Sequence, residues 1–134
     1  MWTAVPTRRG RSATIGHVAR SVLIVDDHPG FRRTARLVLE AEGWLVVGEA
    51  GDGAAGLAAA AALAPDLVLL DVNLPDLDGF EVAARLARPG AAPAVVLTSS
   101  RDDACYGPLA AGTGACGFIP KADLSGPALA ALLP

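Results

Sequence analysis

The chain has 134 residues, of which 52% are hydrophobic and 4% aromatic, so it suits one domain whose core is packed mainly by alanine, valine and leucine. Its net charge is −3, but the first 20 residues carry four arginines and no acid, which leaves −7 on the remainder. An acidic domain lacks the basic face of a nucleic-acid binder, and no apolar run approaches the ~20 residues needed to span a membrane.

The first 20 residues differ from the rest in composition. They mix proline, glycine, serine, threonine and arginine without periodicity, which predicts a flexible basic extension over 1–20 and a folded domain over 21–134. The chain shows no secretory signal and no CxxC pattern, and its two cysteines are Cys105 and Cys116. These features favour reduced thiols in a cytoplasmic protein.

The folded region alternates short apolar runs with segments of helical character. The apolar runs predict strands at 21–25, 44–47, 67–70, 94–97 and 116–119. The segments between and after them predict helices from about 29 to 42, 54 to 63, 79 to 87, 102 to 111 and 125 to 133. Asp52 and either Asp123 or Ser125 are candidate helix N-caps. Five β-α units with right-handed crossovers give an α/β fold with a doubly wound, five-stranded parallel sheet.

Polar side chains follow the predicted strands where each strand ends. The first strand is followed by two acids, the third by one acid, the fourth by hydroxyls and the fifth by the only lysine: Asp26, Asp27, Asp71, Thr98, Ser99 and Lys121. The second strand contributes only Glu49, a little further along its loop. Parallel strands bring their carboxyl ends to one edge, where ligands bind. Converging carboxylates need a cation, and an oxygen-rich site suits Mg²⁺ with phosphate oxygens.

Each of these residues also has a purely structural interpretation. Asp71 could cap a turn, Asp26 and Asp27 could form a loop before Pro29, and Lys121 could be a solvated cation. The β-branched Thr98 could simply end a strand. Their joint arrangement at the ends of three or four strands favours a functional site, in which Asp71 could act as the nucleophile of an acyl-phosphate reaction.

Four motifs resemble the receiver domain of two-component response regulators. They are LIVDDHP at 23–29, D-x-x-x-P-x-x-D-G from Asp71 to Gly79, LTSS at 97–100 and GFIPK at 117–121. The resemblance covers about 21–133 and implies a flavodoxin-like sheet with strand order 2-1-3-4-5. The DDHP and GFIPK segments are similar to the subfamily that often carries a helix-turn-helix output domain.

The resemblance implies a role for each residue at the predicted edge. Asp71 would accept a phosphoryl group from a sensor histidine kinase, and Lys121 would pair with the phosphoryl oxygens. Asp26, Asp27 and Asp71, with the backbone carbonyl of Asn73, would hold Mg²⁺. Thr98 and Phe118 would form the switch. The face of the fourth helix, fifth strand and fifth helix would then bind a partner or a second copy, without DNA binding by this chain alone, membrane contact or enzymatic turnover.

The last loop departs from the family pattern, and other functions compete. Pro120 precedes Lys121 and Ala122 follows it, so the usual cis peptide after the lysine is not expected. An aspartyl-nucleophile phosphatase would need an acid where Asn73 stands. A flavodoxin-type nucleotide site would need a phosphate-binding loop after the first strand, where acids stand instead. A receiver-like interaction module that is not phosphorylated remains an alternative.

Overall fold

A computed structural model describes residues 20–88, 91–100 and 106–133, without the side chains of residues 106 and 107. Its strands are β1 Ser21–Val25, β2 Leu45–Ala50, β3 Leu67–Asp71, β4 Ala94–Ser99 and β5 Gly117–Pro120. Its helices are α1 Pro29–Ala41, α2 Gly53–Leu63, α3 Gly79–Leu86, α4 Tyr106–Gly112 and α5 Gly126–Leu132. A short 3₁₀ turn, Lys121–Asp123, separates β5 from α5.

All five strands are parallel and lie in the order β2-β1-β3-β4-β5, which confirms the predicted fold class and strand order. The continuous apolar runs are buried on both faces, as expected for a parallel sheet covered by helices. In β3, Val68 and Leu70 belong to one core cluster, whereas Leu67 and Leu69 belong to a second. Successive side chains point to opposite faces of a strand, so the two clusters lie on opposite sides of the sheet.

The prediction for β2 was wrong at its carboxyl end. The strand continues through Gly48 and Glu49 to Ala50, where the sequence predicted a loop. β2 is an edge strand with a register irregularity opposite Val22 and Leu23. An edge strand tolerates glycine and charge that a central strand excludes. Glu49 therefore lies in the strand, where it pairs with Arg32 and Arg36 of α1, and does not lie in a loop at the candidate site.

Polar side chains cap the N-termini of two helices. Asp52 caps α2 by accepting a hydrogen bond from Ala55 N at 2.7 Å, and Ser125 caps α5 by accepting one from Ala128 N at 3.1 Å. Both residues are predicted caps, and Ser125, not the alternative Asp123, caps α5. The predicted start of the fourth helix at Asp102 lies outside the described residues. In the part of the chain that the structure describes, every helix is too short or too polar to cross a membrane.

Gly79, at the start of α3, lets the chain pass close to the end of β3. Its N–H donates to Val72 O at 3.0 Å, and a Cβ at this position would collide with Asp71 O and Val72 Cα. These obstacles are backbone atoms, which a side-chain rotation cannot move aside. The glycine that ends the second motif is thus required by the geometry of the loop after Asp71.

Replacing Gly79 with alanine is expected to lower the free energy of unfolding by about 1 to 3 kcal/mol, the usual cost of overpacking. The matched control is Gly30→Ala in α1, where a Cβ meets nothing within 4 Å. The control should leave stability unchanged or raise it by about 0.5 kcal/mol, because alanine is the better helix former. Urea denaturation compares the free energies of unfolding of the two variants. Equal effects would show that the close approach of the backbone does not exclude a side chain at position 79.

Candidate functional site

The carboxyl edge of the sheet gathers side chains from four strands. Asp26 follows β1, Asp71 ends β3, Thr98 lies in β4 and Lys121 follows β5. Asp71 and Thr98 are paired across β3 and β4. The parallel topology therefore places these groups together, although up to 95 positions separate them in the printed sequence.

Two of the carboxylates are buried. Asp26 is 0% and Asp71 2% exposed, whereas the Asp27 side chain is 33% exposed. Their ligand atoms and one of His28 all lie within 4.8 Å of one another. Asp26 Oδ2 and Asp27 Oδ1 are buried and receive no hydrogen bond within the described ranges. Buried carboxylate oxygens without hydrogen bonds fit a divalent cation, and Asp26, Asp27 and Asp71 are the residues that could hold Mg²⁺.

Lys121 brings a positive charge to the site. Its Nζ lies 2.6 Å from Asp26 Oδ2 and 3.4 Å from Asp71 Oδ2. The closer contact is an ion pair without the alignment of a hydrogen bond, whereas the longer one is hydrogen-bonded. The ammonium group also lies 4.4 Å from the centre of the Phe31 ring. Phe31 and the two carboxylates thus restrain a side chain that is only 13% exposed.

The protonation of Asp71 depends on opposing effects. Burial raises its pKa above the usual value, the N–H of Asn73 lowers it, the charge of Asp26 raises it, and Lys121 lowers it. The Asn73 N–H donates to Asp71 Oδ1 at 3.0 Å. The raised pKa shows that burial and the like charge prevail over the two stabilising partners. An added cation would favour the ionised form that a nucleophile requires.

The hydroxyl and the aromatic residue predicted as a switch lie near each other along β4 and β5. Thr98 is 1% exposed, and its Oγ1 has no hydrogen-bond partner among the described residues. A buried hydroxyl without a partner is costly and suits a group that arrives later. Phe118 is partly buried and packs against the core cluster that contains Val68 and Leu70.

A groove of about 520 Å³ opens beside the carboxylates. It is lined by Asp27, by the β3–α3 loop and by Phe80 of α3, and Asn73 is one of the loop residues at its wall. Asp76 fixes this loop by accepting hydrogen bonds from Gly53 N at 2.7 Å and Ala54 N at 3.0 Å. These two N–H groups at the start of α2 lower the pKa of Asp76, the bond from Ala54 having the larger effect.

Sequence reasoning missed Asp76 and Arg32 as supports of the site. Arg32 donates from Nη1 to Asp26 O at 2.6 Å and from Nε to Glu49 Oε1 at 3.1 Å, which fixes the backbone beside the acidic cluster. Arg36 also binds Glu49, and its hydrogen bond is the main cause of that residue's lowered pKa. A helical arginine just after an acidic pair was a usable signal for Arg32. Asp76 gave none, because its partners lie more than 20 residues away.

The loop after β5 is regular despite its reversed motif. Pro120 ends the strand and Lys121 begins the 3₁₀ turn. The cis peptide in the described ranges is Ala92–Pro93, and the Lys121–Ala122 bond is not cis, as the sequence predicted. Lys121 still reaches both buried carboxylates, so the altered order leaves its contacts with the site in place.

The chain is similar to known receiver domains. The family model of the response regulator receiver domain matches residues 22–129. The transcription regulator BvgA of Bordetella pertussis is 40% identical over 100 residues, which are 75% of this chain and 48% of BvgA. The receiver domain of the response regulator NarL from Mycobacterium tuberculosis superposes with a TM-score of 0.74 and 36% identity, covering 85% of this chain and 96% of that one.

A second solved structure is the BeF3-activated N-terminal receiver domain of Klebsiella pneumoniae RstA, with a TM-score of 0.72 and 30% identity. It covers 84% of this chain and 94% of that one. The chain spans about half the length of BvgA. The family model matches most of the chain, the sheet has the predicted strand order, and an acidic cluster lies at its carboxyl edge. The chain therefore belongs to the response regulator receiver domain family.

Proposed function

We propose that this receiver accepts a phosphoryl group on Asp71 from a sensor histidine kinase. The observation that carries the proposal is the buried Asp71 carboxylate, which shares its site with two further carboxylates and Lys121. A nucleophile on a rigid strand beside a lysine suits phosphoryl transfer, which depends mainly on positioning and charge stabilisation. The BeF3-activated state of RstA supports the same chemistry here by analogy.

In the proposed reaction an Asp71 oxygen attacks the phosphorus. The new O–P bond forms as the P–N bond to the kinase histidine breaks, and the imidazole leaves with the electron pair and takes up a proton. Lys121 offsets charge on the phosphoryl oxygens from its position 3.4 Å from Asp71 Oδ2. Mg²⁺ held by Asp26, Asp27, Asp71 and the Asn73 carbonyl would supply further charge neutralisation.

The proposed switch begins at Thr98. Its buried hydroxyl has no hydrogen-bond partner among the described residues, so a phosphoryl oxygen on the neighbouring Asp71 would supply one. Movement of Thr98 toward Asp71 would free space for Phe118 on the adjacent strand. Only a few kcal/mol are needed to bias such an equilibrium.

The output of the switch is proposed to be the face of α4, β5 and α5. Leu109 on α4 is 52% exposed, which gives that face an apolar contact of its own. A partner protein or a second copy of the chain would bind there after phosphorylation. BvgA is named as a transcription regulator, which makes control of gene expression the pathway that we propose for this receiver.

The test is uptake of one phosphoryl group from acetyl phosphate in the presence of Mg²⁺, followed by intact mass. The wild-type chain should gain one group, whereas Asp71→Asn should gain none. The matched control is Asp123→Asn, which removes an exposed carboxylate from the 3₁₀ turn and should not affect uptake. Equal uptake by Asp71→Asn would refute the proposal, and no uptake by the wild-type chain would favour an interaction module that is not phosphorylated.

A further inference from the structure

The aromatic ring of Phe31 lies beside the ammonium group of Lys121, and the proposed reaction gives this ring no role. Lys121 Nζ lies over the ring, 4.4 Å from its centre. The face of an aromatic ring attracts a cation within about 6 Å, because the π electrons make that face negative. The contact joins the first turn of α1 to the turn after β5.

The position of the ring is fixed by its neighbours on α1. Phe31 is partly buried and packs against the core cluster that contains Ala35 and Leu39, which lie one and two turns further along the helix. The next residue, Arg32, donates from Nη1 to Asp26 O at 2.6 Å. The first turn of α1 is therefore attached both to the core and to the backbone of the acidic cluster. A ring held in this way offers the ammonium group a fixed surface.

The two carboxylates that contact Lys121 hold it unequally. Its Nζ lies 2.6 Å from Asp26 Oδ2 and 3.4 Å from Asp71 Oδ2. The closer carboxylate is also a proposed Mg²⁺ ligand, and a divalent cation repels an ammonium group that shares a ligand with it. Of the three partners, the ring of Phe31 is the one whose attraction for Lys121 does not compete with a metal ion.

We infer that Phe31 is a positioning residue, whose ring holds the ammonium group of Lys121 beside Asp71 when Mg²⁺ is bound. Lysine has a flexible four-carbon stem, so without the ring the ammonium group would move away from the metal and toward solvent. The charge beside the phosphoryl oxygens would then be lost. A phenylalanine that only filled the core would be replaceable by leucine at a cost in stability alone. The inference rests on the proposed function, to which it adds one residue.

The test uses the one lysine of the sequence. Labelling the full chain with ¹³C-lysine, without an affinity tag, gives the NMR signals of Lys121 alone. Protons above a ring face are shifted upfield of the same protons in the urea-unfolded chain. The ε-methylene signal is recorded with and without Mg²⁺ in the wild-type chain, in Phe31→Leu and in Phe31→Tyr, which keeps a ring. The matched control is Trp44→Leu, which removes another aromatic residue from the same core cluster at the amino end of the sheet.

The expected signal is upfield in the wild-type chain and in Phe31→Tyr, both with and without Mg²⁺. In Phe31→Leu with Mg²⁺ it should lie at its position in the unfolded chain. Uptake from acetyl phosphate should slow about tenfold in Phe31→Leu and stay within about threefold of wild type in Phe31→Tyr and Trp44→Leu, the scale of a cation–π contact away from water. In a Lys121→Met background, Phe31→Leu should change uptake less than about twofold, because a residue that acts through Lys121 has no effect without it.

Three results would overturn the inference: a wild-type lysine signal at its unfolded-chain position once Mg²⁺ is added, uptake by Phe31→Leu at the wild-type rate, or equal slowing by Phe31→Leu with and without Lys121. The first needs no substitution, so the test holds even if Phe31→Leu does not fold. Failure of the proposed function is distinguishable. It would appear as no uptake by the wild-type chain while the lysine signal stays upfield in Mg²⁺, and it would refute a role of Phe31 in phosphoryl transfer.

Discussion

Replacing Lys121 with methionine is expected to lower the free energy of unfolding by about 3 kcal/mol in the absence of divalent cations, because the substitution leaves buried carboxylates without their cation. Methionine keeps an apolar stem beside Phe31, so the change removes charge with little loss of packing. Saturating Mg²⁺ should reduce the difference in free energy of unfolding between the variant and the wild-type chain, because a bound cation offsets the charge of the buried carboxylates.

The effect of this substitution should depend on pH. The pKa of Asp71 is already raised above its ordinary value of 3.8, mainly by burial, and Lys121 opposes that rise. Without Lys121 the pKa should rise further. An acid whose pKa is raised by folding contributes most to stability below its ordinary pKa, and that contribution is lost as pH rises through the raised value. The free energy of unfolding of Lys121→Met should therefore fall further below that of the wild-type chain as pH increases above about 4.

Urea denaturation at several pH values, with EDTA or Mg²⁺, measures the effect. The matched control is Arg33→Met, which removes an exposed cation from α1 and should change stability by less than about 0.5 kcal/mol. A deficit in Lys121→Met no larger than in Arg33→Met, or one that is independent of pH, would contradict the assigned role of Lys121.

Removing divalent cations is expected to slow phosphoryl uptake by on the order of 100-fold, the scale on which a metal ion stabilises phosphoryl charge. Asp26 and Asp71 are almost fully buried, and within the described ranges Lys121 is the lysine or arginine that contacts both carboxylates. An approaching phosphate would be repelled by the remaining negative charge. EDTA should therefore suppress uptake, and added Mg²⁺ should restore it without a change in circular dichroism.

A variant links this metal effect to the site. Asp26→Asn should weaken Mg²⁺ binding by about tenfold or more, since it replaces a charged ligand with a neutral one. Asp123→Asn removes an exposed acid and should leave binding unchanged. Calorimetric titration compares the two. Uptake that proceeds equally in EDTA, or an Asp26→Asn chain with wild-type Mg²⁺ affinity, would show that the metal lies elsewhere.

The fold could be predicted because its strands are buried on both faces. The run from Leu67 to Leu70 supplies both core clusters at once, and such runs separated by helical segments have few alternative topologies. β2 was predicted too short because Gly48 and Glu49 have low strand propensity. Their edge position and the arginine partners on α1 override that propensity.

The residues of the site also fall into a group that the sequence predicted and a group that it did not. Strand-end residues were predictable because parallel strands share one edge, so Asp26, Asp71 and Lys121 needed only the strand assignments. The supporting residues Asp76 and Arg32 could not be predicted from the sequence. Asp76 binds the start of α2 and Arg32 binds a backbone carbonyl, and both contacts depend on the tertiary fold. A pattern along the sequence contains no information about such partners until the helices are placed around the sheet.

Asp71 is the residue that we propose to be phosphorylated. The most direct measurement is reduction of the acetyl phosphate-treated protein with borohydride, which converts an acyl-phosphorylated aspartate to homoserine, followed by peptide mass spectrometry. Homoserine is expected at position 71 in a Mg²⁺-dependent reaction, and at no other aspartate. Homoserine at Asp26, Asp27 or Asp78 with position 71 unmodified would contradict it.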